Sequence, residues 1–391
     1  MYLTRYEERM LQGEEGEVKR KALEVIVKIG EVVGAERLID VVHAHVSGIS
    51  YFSIGDYGLE LLEELQGSGT KVTVFTTANP YSLALTPDFC KLFEEHVIAK
   101  QRRIVDILKK MGVAESFTCT PYLLRTPKQG EHLAWAESNA VLYANSVLDA
   151  YTNREGGIVA LMAAIVGKTY CGGMHLYKNR IPRVHVIVRG SIRSRVVAGL
   201  VGYKIGELVK EVPYISFTSV TPSDLPIGSI KQMLAALGTS SDLAMAVIER
   251  VTPNYREYLR RADLSKRVVI NVEEIVKEPC TSSGDVLFVG CPHLDLEELK
   301  ELTLLLERGL ANNFREVWVG VSAKVFELGY RLGLVQKLRE HGVKFAVNAC
   351  PVVTKLDTSN KVEIVTDSVK AFSYIPRISG RSTSLLDPKV W

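Results

Sequence analysis

From residue 285 onward the chain repeats one pattern: a short β-branched apolar run, a turn, an amphipathic stretch, then another such run. The apolar runs at 285–289, 316–321 and 343–348 are too short for helices and are rich in Val and Phe. Between the first two, Asp295 opens a helical stretch and Glu298 completes a capping pattern. Between the second and third, a helix is expected from 323 to 341, ending at Gly342. Strand–helix–strand steps of this kind place each new strand parallel to the last, with a right-handed crossover. Further runs at 39–45, 71–76, 183–189, 268–272 and 362–366 extend the alternation along the chain. The fold class expected is therefore α/β, built on doubly wound, mostly parallel sheets. Two parts are expected: an α/β region over 1–265 and a doubly wound domain over 266–391.

Composition narrows the function classes. The 391 residues carry 48 Lys and Arg against 45 Asp and Glu, a net charge of +3 with the signs interspersed, so no basic face for nucleic acid is built in. The first twenty-one residues are too charged for a signal peptide, and Thr4 with Glu7 reads as a capping box. The longest apolar run, 158–166, falls well short of the roughly 20 residues that a membrane span requires. A soluble, cytoplasmic chain is expected. Its six cysteines are scattered and, in that compartment, reduced, which leaves them as core filler, nucleophiles or metal ligands.

The stretch 134–157, AWAESNAVLYANSVLDAYTNREGG, is the most unusual. It carries no charge between Glu137 and Asp149, yet sets Ser138, Asn139, Asn145 and Ser146 among alanines, valines and leucines. Each of the pairs Ser138/Asn145 and Asn139/Ser146 is seven residues apart, so each returns to nearly the same face of a helix. Buried polar groups need partners. Either neighbouring backbone supplies them, or the helix borders a site.

Cys291 and Cys350 each fall just past the carboxyl end of a predicted strand, the edge at which open parallel sheets bind ligands. No CxxC is present. Instead the chain has a Cys-Pro theme, Cys119-Thr-Pro121, Cys291-Pro292 and Cys350-Pro351, in which proline keeps the loop out of helix. Buried small hydrophobes are the alternative use of these cysteines. Cys90 lies in an amphipathic stretch, Cys171 is flanked by glycines that would admit a bulky group, and Cys280 has no assigned role. His43-Ala44-His45 follows a strand and could begin a two-histidine zinc site. Of the remaining histidines, only His293 is placed to complete one. The 47–50 turn, with Gly48, Ile49 and Ser50, could grip an anion through backbone N–H groups and hydroxyls. Asn79-Pro80 ends another strand. Lys370, near a helix start, suits a phosphate or carboxylate, and Ser379-Gly380-Arg381 is a weaker anion candidate.

The motifs ESNAV and ANSVLDAYTNREGG resemble the substrate-side segment of the aconitase superfamily, in the branch called aconitase X. HAHVSGISYFSIGD (43–56), TTANP (76–80) and the Cys-Pro steps extend the resemblance over nearly the whole chain. Within that branch the chain is most similar to large subunits of archaeal two-subunit members. The resemblance implies an aconitase-like catalytic region lacking the swivelling domain. It implies Cys119, Cys291 and Cys350 as ligands of an iron–sulfur cluster, [4Fe-4S], or [3Fe-4S] after oxidation. It also implies a substrate pocket formed by Gly48, Ile49, Ser50, Asn79, Pro80, Glu137, Ser138 and Lys370. The activity implied is dehydration of (R)-mevalonate 5-phosphate to trans-anhydromevalonate 5-phosphate in isoprenoid biosynthesis, with iron as Lewis acid on the leaving hydroxyl. The catalytic base is not identified by the sequence and is expected near a subunit interface. The partner implied is a small swivelling-domain subunit, in a heterodimer or a dimer of heterodimers. Dehydration of cis-3-hydroxyproline, or a non-catalytic iron–sulfur scaffold, are the alternatives.

Overall fold

The computed structural model describes residues 1–219, 224–275, 280–354 and 362–391. The first region contains β1 (Leu38–Asp40), β2 (His43–Val46), β3 (Phe75–Ala78), β4 (Leu133–Trp135) and β5 (Lys168–Tyr170). Strands β3-β2-β4 form a parallel sheet, and β1 pairs antiparallel with β5. The run expected at 39–45 is thus two strands. The chain switches partners between them: the Val41 N–H donates to Gly167 O and the Val42 N–H to His132 O.

The middle region holds β6 (Val184–Arg189), β7 (Pro213–Phe217), β8 (Val247–Ile248) and β9 (Lys266–Asn271), parallel in the order β8-β7-β6-β9. The boundary expected at 265 is corrected by this sheet. Strand β9 pairs with β6 along its whole length, from Val184↔Lys266 to Arg189↔Asn271, and so closes the middle unit rather than opening the last one.

The last region contains β10 (Cys280–Thr281), β11 (Gly284–Leu294), β12 (Phe314–Val321), β13 (Val343–Val347), β14 (Ile364–Thr366) and β15 (Thr383–Leu386), all parallel, in the order β10-β15-β14-β11-β12-β13. The chain winds outward from β11 to β13, then returns to the other side of β11 as β14 and β15. The switch point expected of a doubly wound sheet therefore lies between β11 and β14. The capping box at Asp295 and Glu298 is present, as is that at Thr4 and Glu7. The helix expected from 323 to 341 is two, Ala323–Arg331 and Leu334–Glu340, interrupted where Gly333 takes a left-handed φ of 76°.

The 134–157 stretch is also not one helix. Helix Ser138–Ser146 stops, Asp149 turns the chain at a φ of 51°, and a second, almost wholly apolar helix starts at Gly157. Helix Ile227–Ser240, buried nearly all round, packs against Ser138–Ser146 on one side and Arg195–Leu208 on another, so the polar helix lies wedged inside the molecule.

Candidate active site

Strand ends converge on one cavity of about 320 Å³. Ser47 follows β2, Asn79 and Pro80 follow β3, and Ala136, Glu137 and Ser138 follow β4. From the facing sheet come Cys291 at the end of β11, Cys350 beyond β13, and Lys370 on helix Val369–Ser379 after β14. Cys119 reaches it from the loop before β4. Two parallel sheets thus present their carboxyl ends to each other, and the cavity lies at the switch point of the second. Close approach is possible because position 157 has no side chain: any Cβ there would collide with the Ser47 carbonyl.

The three cysteine segments are tied together by buried polar side chains. The His293 N–H donates to Cys119 Sγ at 3.2 Å, and its ring nitrogens reach Thr118 Oγ1 at 3.1 Å and Ala349 O at 2.9 Å. One imidazole therefore braces both the Cys119 and the Cys350 loops. Asn139 Nδ2 donates to Cys119 O at 2.8 Å, and Gln232 Nε2 to Cys291 O at 3.0 Å. Burial pushes each of the three thiols up to about 12. Among the described residues no three His, Cys, Asp or Glu side chains are grouped tightly enough to hold a single metal ion. Cys90, Cys171 and Cys280 do not line the cavity.

Opposite the thiols stands an ion pair. Lys370 Nζ donates to Glu137 Oε1 at 2.6 Å and to Asn139 Oδ1 at 3.0 Å, and Asn79 Nδ2 donates to Glu137 Oε2 at 2.6 Å. Burial opposes the charge on Glu137, but the Lys370 ammonium and these hydrogen bonds outweigh it and hold the carboxyl down at about 2. Burial likewise opposes the charge on Lys370, and Glu137 keeps its pKa above the ordinary value. An ammonium has three N–H donors and Lys370 has two hydrogen-bond partners here, so one donor is left for the cavity.

Of the residues expected at the site, the structure gathers Asn79, Pro80, Glu137, Ser138, Lys370 and the three cysteines around the cavity. Gly48, Ile49 and Ser50 are not in its lining. Gly48 turns the chain at a φ of 69°, Ile49 packs into the core, and Ser50 Oγ is engaged with Ser82 and Gln101. Ser379 and Arg381 also lie outside the lining, with Ser379 Oγ donating to Ile375 O. The zinc reading of His43 and His45 does not fit: both rings bond Thr77 Oγ1, at 2.9 and 2.7 Å, and His45 also bonds Asn79.

The sequence reading missed Arg154, Tyr374 and Ile378. Arg154 sits at the exposed rim, its Nη1 donating to Ser241 O at 2.8 Å. Tyr374 and Ile378 follow Lys370 by four and eight residues, so helical spacing from that lysine would have found them.

Sequence models of the Aconitase X first, second and third domains match residues 1–178, 182–278 and 284–388. The chain belongs to the aconitase X family. Its aconitase X relatives include the phosphomevalonate dehydratase large subunit of Aeropyrum pernix, 40% identical over 96% of each chain. The protein of that name from Methanothermobacter thermautotrophicus is 37% identical over 97% of this chain and 95% of its own. A crystal structure of Thermococcus kodakaraensis aconitase X in its holo form superposes with a TM-score of 0.89, at 34% identity, over 99% of this chain and 98% of that one. The cis-3-hydroxy-L-proline dehydratase of Pseudomonas aeruginosa is 30% identical over 97% of this chain but only 67% of its own length. The three domains coincide with the three sheet systems described above.

Proposed function

We propose that this chain is the catalytic large subunit of a phosphomevalonate dehydratase. It is a hydro-lyase that removes water from (R)-mevalonate 5-phosphate to give trans-anhydromevalonate 5-phosphate, and it works in the cytoplasm with a small swivelling-domain subunit. The observation that carries this reading is the cavity itself, where two buried cysteines and a partly buried third face a lysine–glutamate pair at the carboxyl edges of two parallel sheets. The names of the archaeal relatives, aligned over nearly their whole length, supply the substrate and the partner. Hydroxyproline dehydration is less favoured, since those relatives are less similar and two thirds covered.

The donor set suits an iron–sulfur cluster. Three cysteines line one cavity, each with a proline within two residues, while the lining carboxylate of Glu137 is taken up by Lys370 and Asn79; soft thiolates select such clusters. Cys119, Cys291 and Cys350 would hold it as [4Fe-4S], or as [3Fe-4S] after oxidation, and when bound it supplies a Lewis acid for the leaving hydroxyl. The remaining work belongs to the chain. The spare Lys370 N–H and the rim guanidinium of Arg154 offer two cations for a substrate with two anionic ends. Ser138 Oγ and Pro80 line the wall beside them, and Ser47 brings the start of the 47–50 turn to the cavity. Val352, Val353, Tyr374 and Ile378 make one side apolar, which helps exclude water once a partner covers the opening. Both oxygens of Glu137 are already engaged, so the base that takes the proton beside the substrate carboxylate is another group, expected near the subunit interface.

The test is a dehydration assay on mevalonate 5-phosphate with the small subunit present and absent. Activity should require both chains. Changing Cys119, Cys291 or Cys350 singly to serine should strip most iron and sulfide and lower activity at least about a hundredfold, with the circular dichroism spectrum unchanged. Full turnover by this chain alone, or normal iron in all three variants, would defeat the reading.

A further inference from the structure

Behind the cavity wall a line of hydrogen bonds runs from the core of the first sheet to the site. It begins at His43, passes through Thr77, His45 and Asn79, and ends on Glu137. Parallel pairing sets it up: β2 and β3 register His45 directly against Thr77, and the period-two alternation of β2 puts His43 on the same face as His45. His43, His45 and Thr77 are all fully buried.

Donor counting with the distances favours one direction for this line, since the other acceptor for the Thr77 hydroxyl, Ala44 O, lies at 3.5 Å against 2.7 Å for His45 Nδ1. Glu137 is a carboxylate held ionised by Lys370, so it can only accept, and the Asn79 side chain must turn its NH₂ toward it. Asn79 Oδ1 then faces His45 Nε2 at 2.8 Å and needs a donor, which fixes the N–H of His45 on Nε2. Burial lowers the pKa of His45 to about 4 and that of His43 well below its ordinary value, so both rings are neutral. Nδ1 of His45 is then a bare acceptor and takes the Thr77 hydroxyl proton across 2.7 Å. The Thr77 oxygen accepts in turn from His43 Nε2 at 2.9 Å. The line ends at His43 Nδ1, a buried acceptor with no hydrogen-bond partner. Leaving such a group unpaired destabilises the fold, a cost that an apolar side chain at position 43 would avoid. The rings are held edge-on by Trp135 and Phe75, with centroids 5.0 and 4.8 Å from that of His43.

We propose that Thr77 and His45 are positioning residues of the active site. Their one-way hydrogen-bond line locks the Asn79 amide so that its NH₂, never its oxygen, meets Glu137, and thereby fixes the Glu137–Lys370 pair against the cavity. The inference rests on the dehydratase reading for its kinetic consequence only, because the direction of the line is a property of the folded chain. Without the Thr77 hydroxyl, His45 can move its proton to Nδ1, which leaves a bare Nε2 against Asn79 Oδ1 and loosens the Asn79 side chain that holds Glu137.

Two measurements decide it. The first is nitrogen-15 NMR of the cluster-loaded chain labelled at histidine, assigned with His43→Gln and His45→Gln variants. It should show His43 and His45 both neutral with the proton on Nε2. A proton on Nδ1 of either ring, or a charged ring, overturns the proposal whatever the activity. The second compares Thr77→Val, which keeps the shape, with Thr77→Ser, which keeps the hydroxyl, in the complex with the small subunit. Thr77→Val should lower kcat by about tenfold to a hundredfold, the range found when an outer hydrogen-bond partner of a working group is lost. KM and iron content should stay within twofold, and Thr77→Ser should restore at least half the rate. Equal rates for the two variants would overturn the positioning role. A wild-type complex inactive on mevalonate 5-phosphate would sink the dehydratase reading instead, and the NMR result would still decide the direction of the line.

Discussion

Two ion pairs, one partly and one fully buried, hang on the two ends of helix Ser138–Ser146, and they are built from the same kinds of residue. At its start, Lys370 meets Glu137 at 2.6 Å and is joined by Asn139. Past its end, Arg180 meets Asp149 at 2.7 Å and is joined by Asn145. The second pair is saturated. Arg180 also donates to Ala150 O, Asn145 O and Tyr258 Oη and lies 3.9 Å above the Tyr151 ring, while Asn145 spends both donors on Thr152 O and Ala244 O. The first pair keeps an unused N–H and borders a cavity. Burial of charge therefore does not mark a site. An unspent donor facing open volume does, and the saturated pair serves as a clamp that holds the helix in place.

The contrast can be broken most sharply by removing each cation in turn. Arg180→Met leaves Asp149 buried without its partner and should destabilise the chain by about 3–5 kcal/mol in urea unfolding. The fraction that stays folded should keep its kcat. Lys370→Met should lower dehydration at least about a hundredfold, because it removes a cation aimed at the substrate. If the two variants exchange phenotypes, the division between clamp and site is wrong. A finer test uses the helix start alone. Ser138→Ala should reduce kcat about tenfold while shifting stability by less than about 0.5 kcal/mol, since a hydroxyl facing a cavity contributes little to folding. A large loss of stability with normal turnover would move Ser138 to the structural side.

A last effect, read as a slope against pH, comes from a buried carboxylate with no cation beside it among the described residues. Glu155 is raised to about 7 by burial, against hydrogen bonds from Tyr170 and Asn153. Its folded pKa lies above its unfolded one, so the folded state binds the extra proton. Stability from this group is complete below about pH 4.5 and is lost as pH rises through 7, on the order of 3 kcal/mol in all. Glu155→Gln should flatten the thermal midpoint over that window. Glu137, held at about 2 by its lysine, should contribute no slope there.

How much of this was legible in the sequence follows from the range of the interactions. The C-terminal unit could be read because its strands and caps are local signals: Asp295 with Glu298 names a helix start without any knowledge of the fold. Strands β4 and β5, three residues each, carry no periodicity of their own and were missed. The apolar content of 134–157 reads as one long helix, yet Asp149 breaks it to bond Arg180, a partner thirty-one residues away that no local pattern reports. The two polar pairs on that helix were visible, but seven-residue spacing could not tell that Ser138 faces a cavity while Asn145 faces backbone. Arg154 was missed for the same reason, since only its backbone pairing with Trp135 brings it to the rim.

The cavity walls run from Ser47 to Ile378, so a chain growing on the ribosome has no cavity until its last helix is made. Cys119 waits for the His293 amide, 174 residues later, before its thiol has a neighbour to hold it still. Contacts of such sequence separation form slowly. The Cys119 thiol is therefore made long before Cys291 and Cys350, and an inorganic cofactor offered early would meet one ligand at a time. The natural moment for loading comes after helix Val369–Ser379 docks and brings Lys370 over the thiols. The cavity is therefore closed from the end of the chain: without helix Val369–Ser379 it lacks Lys370, Tyr374 and Ile378.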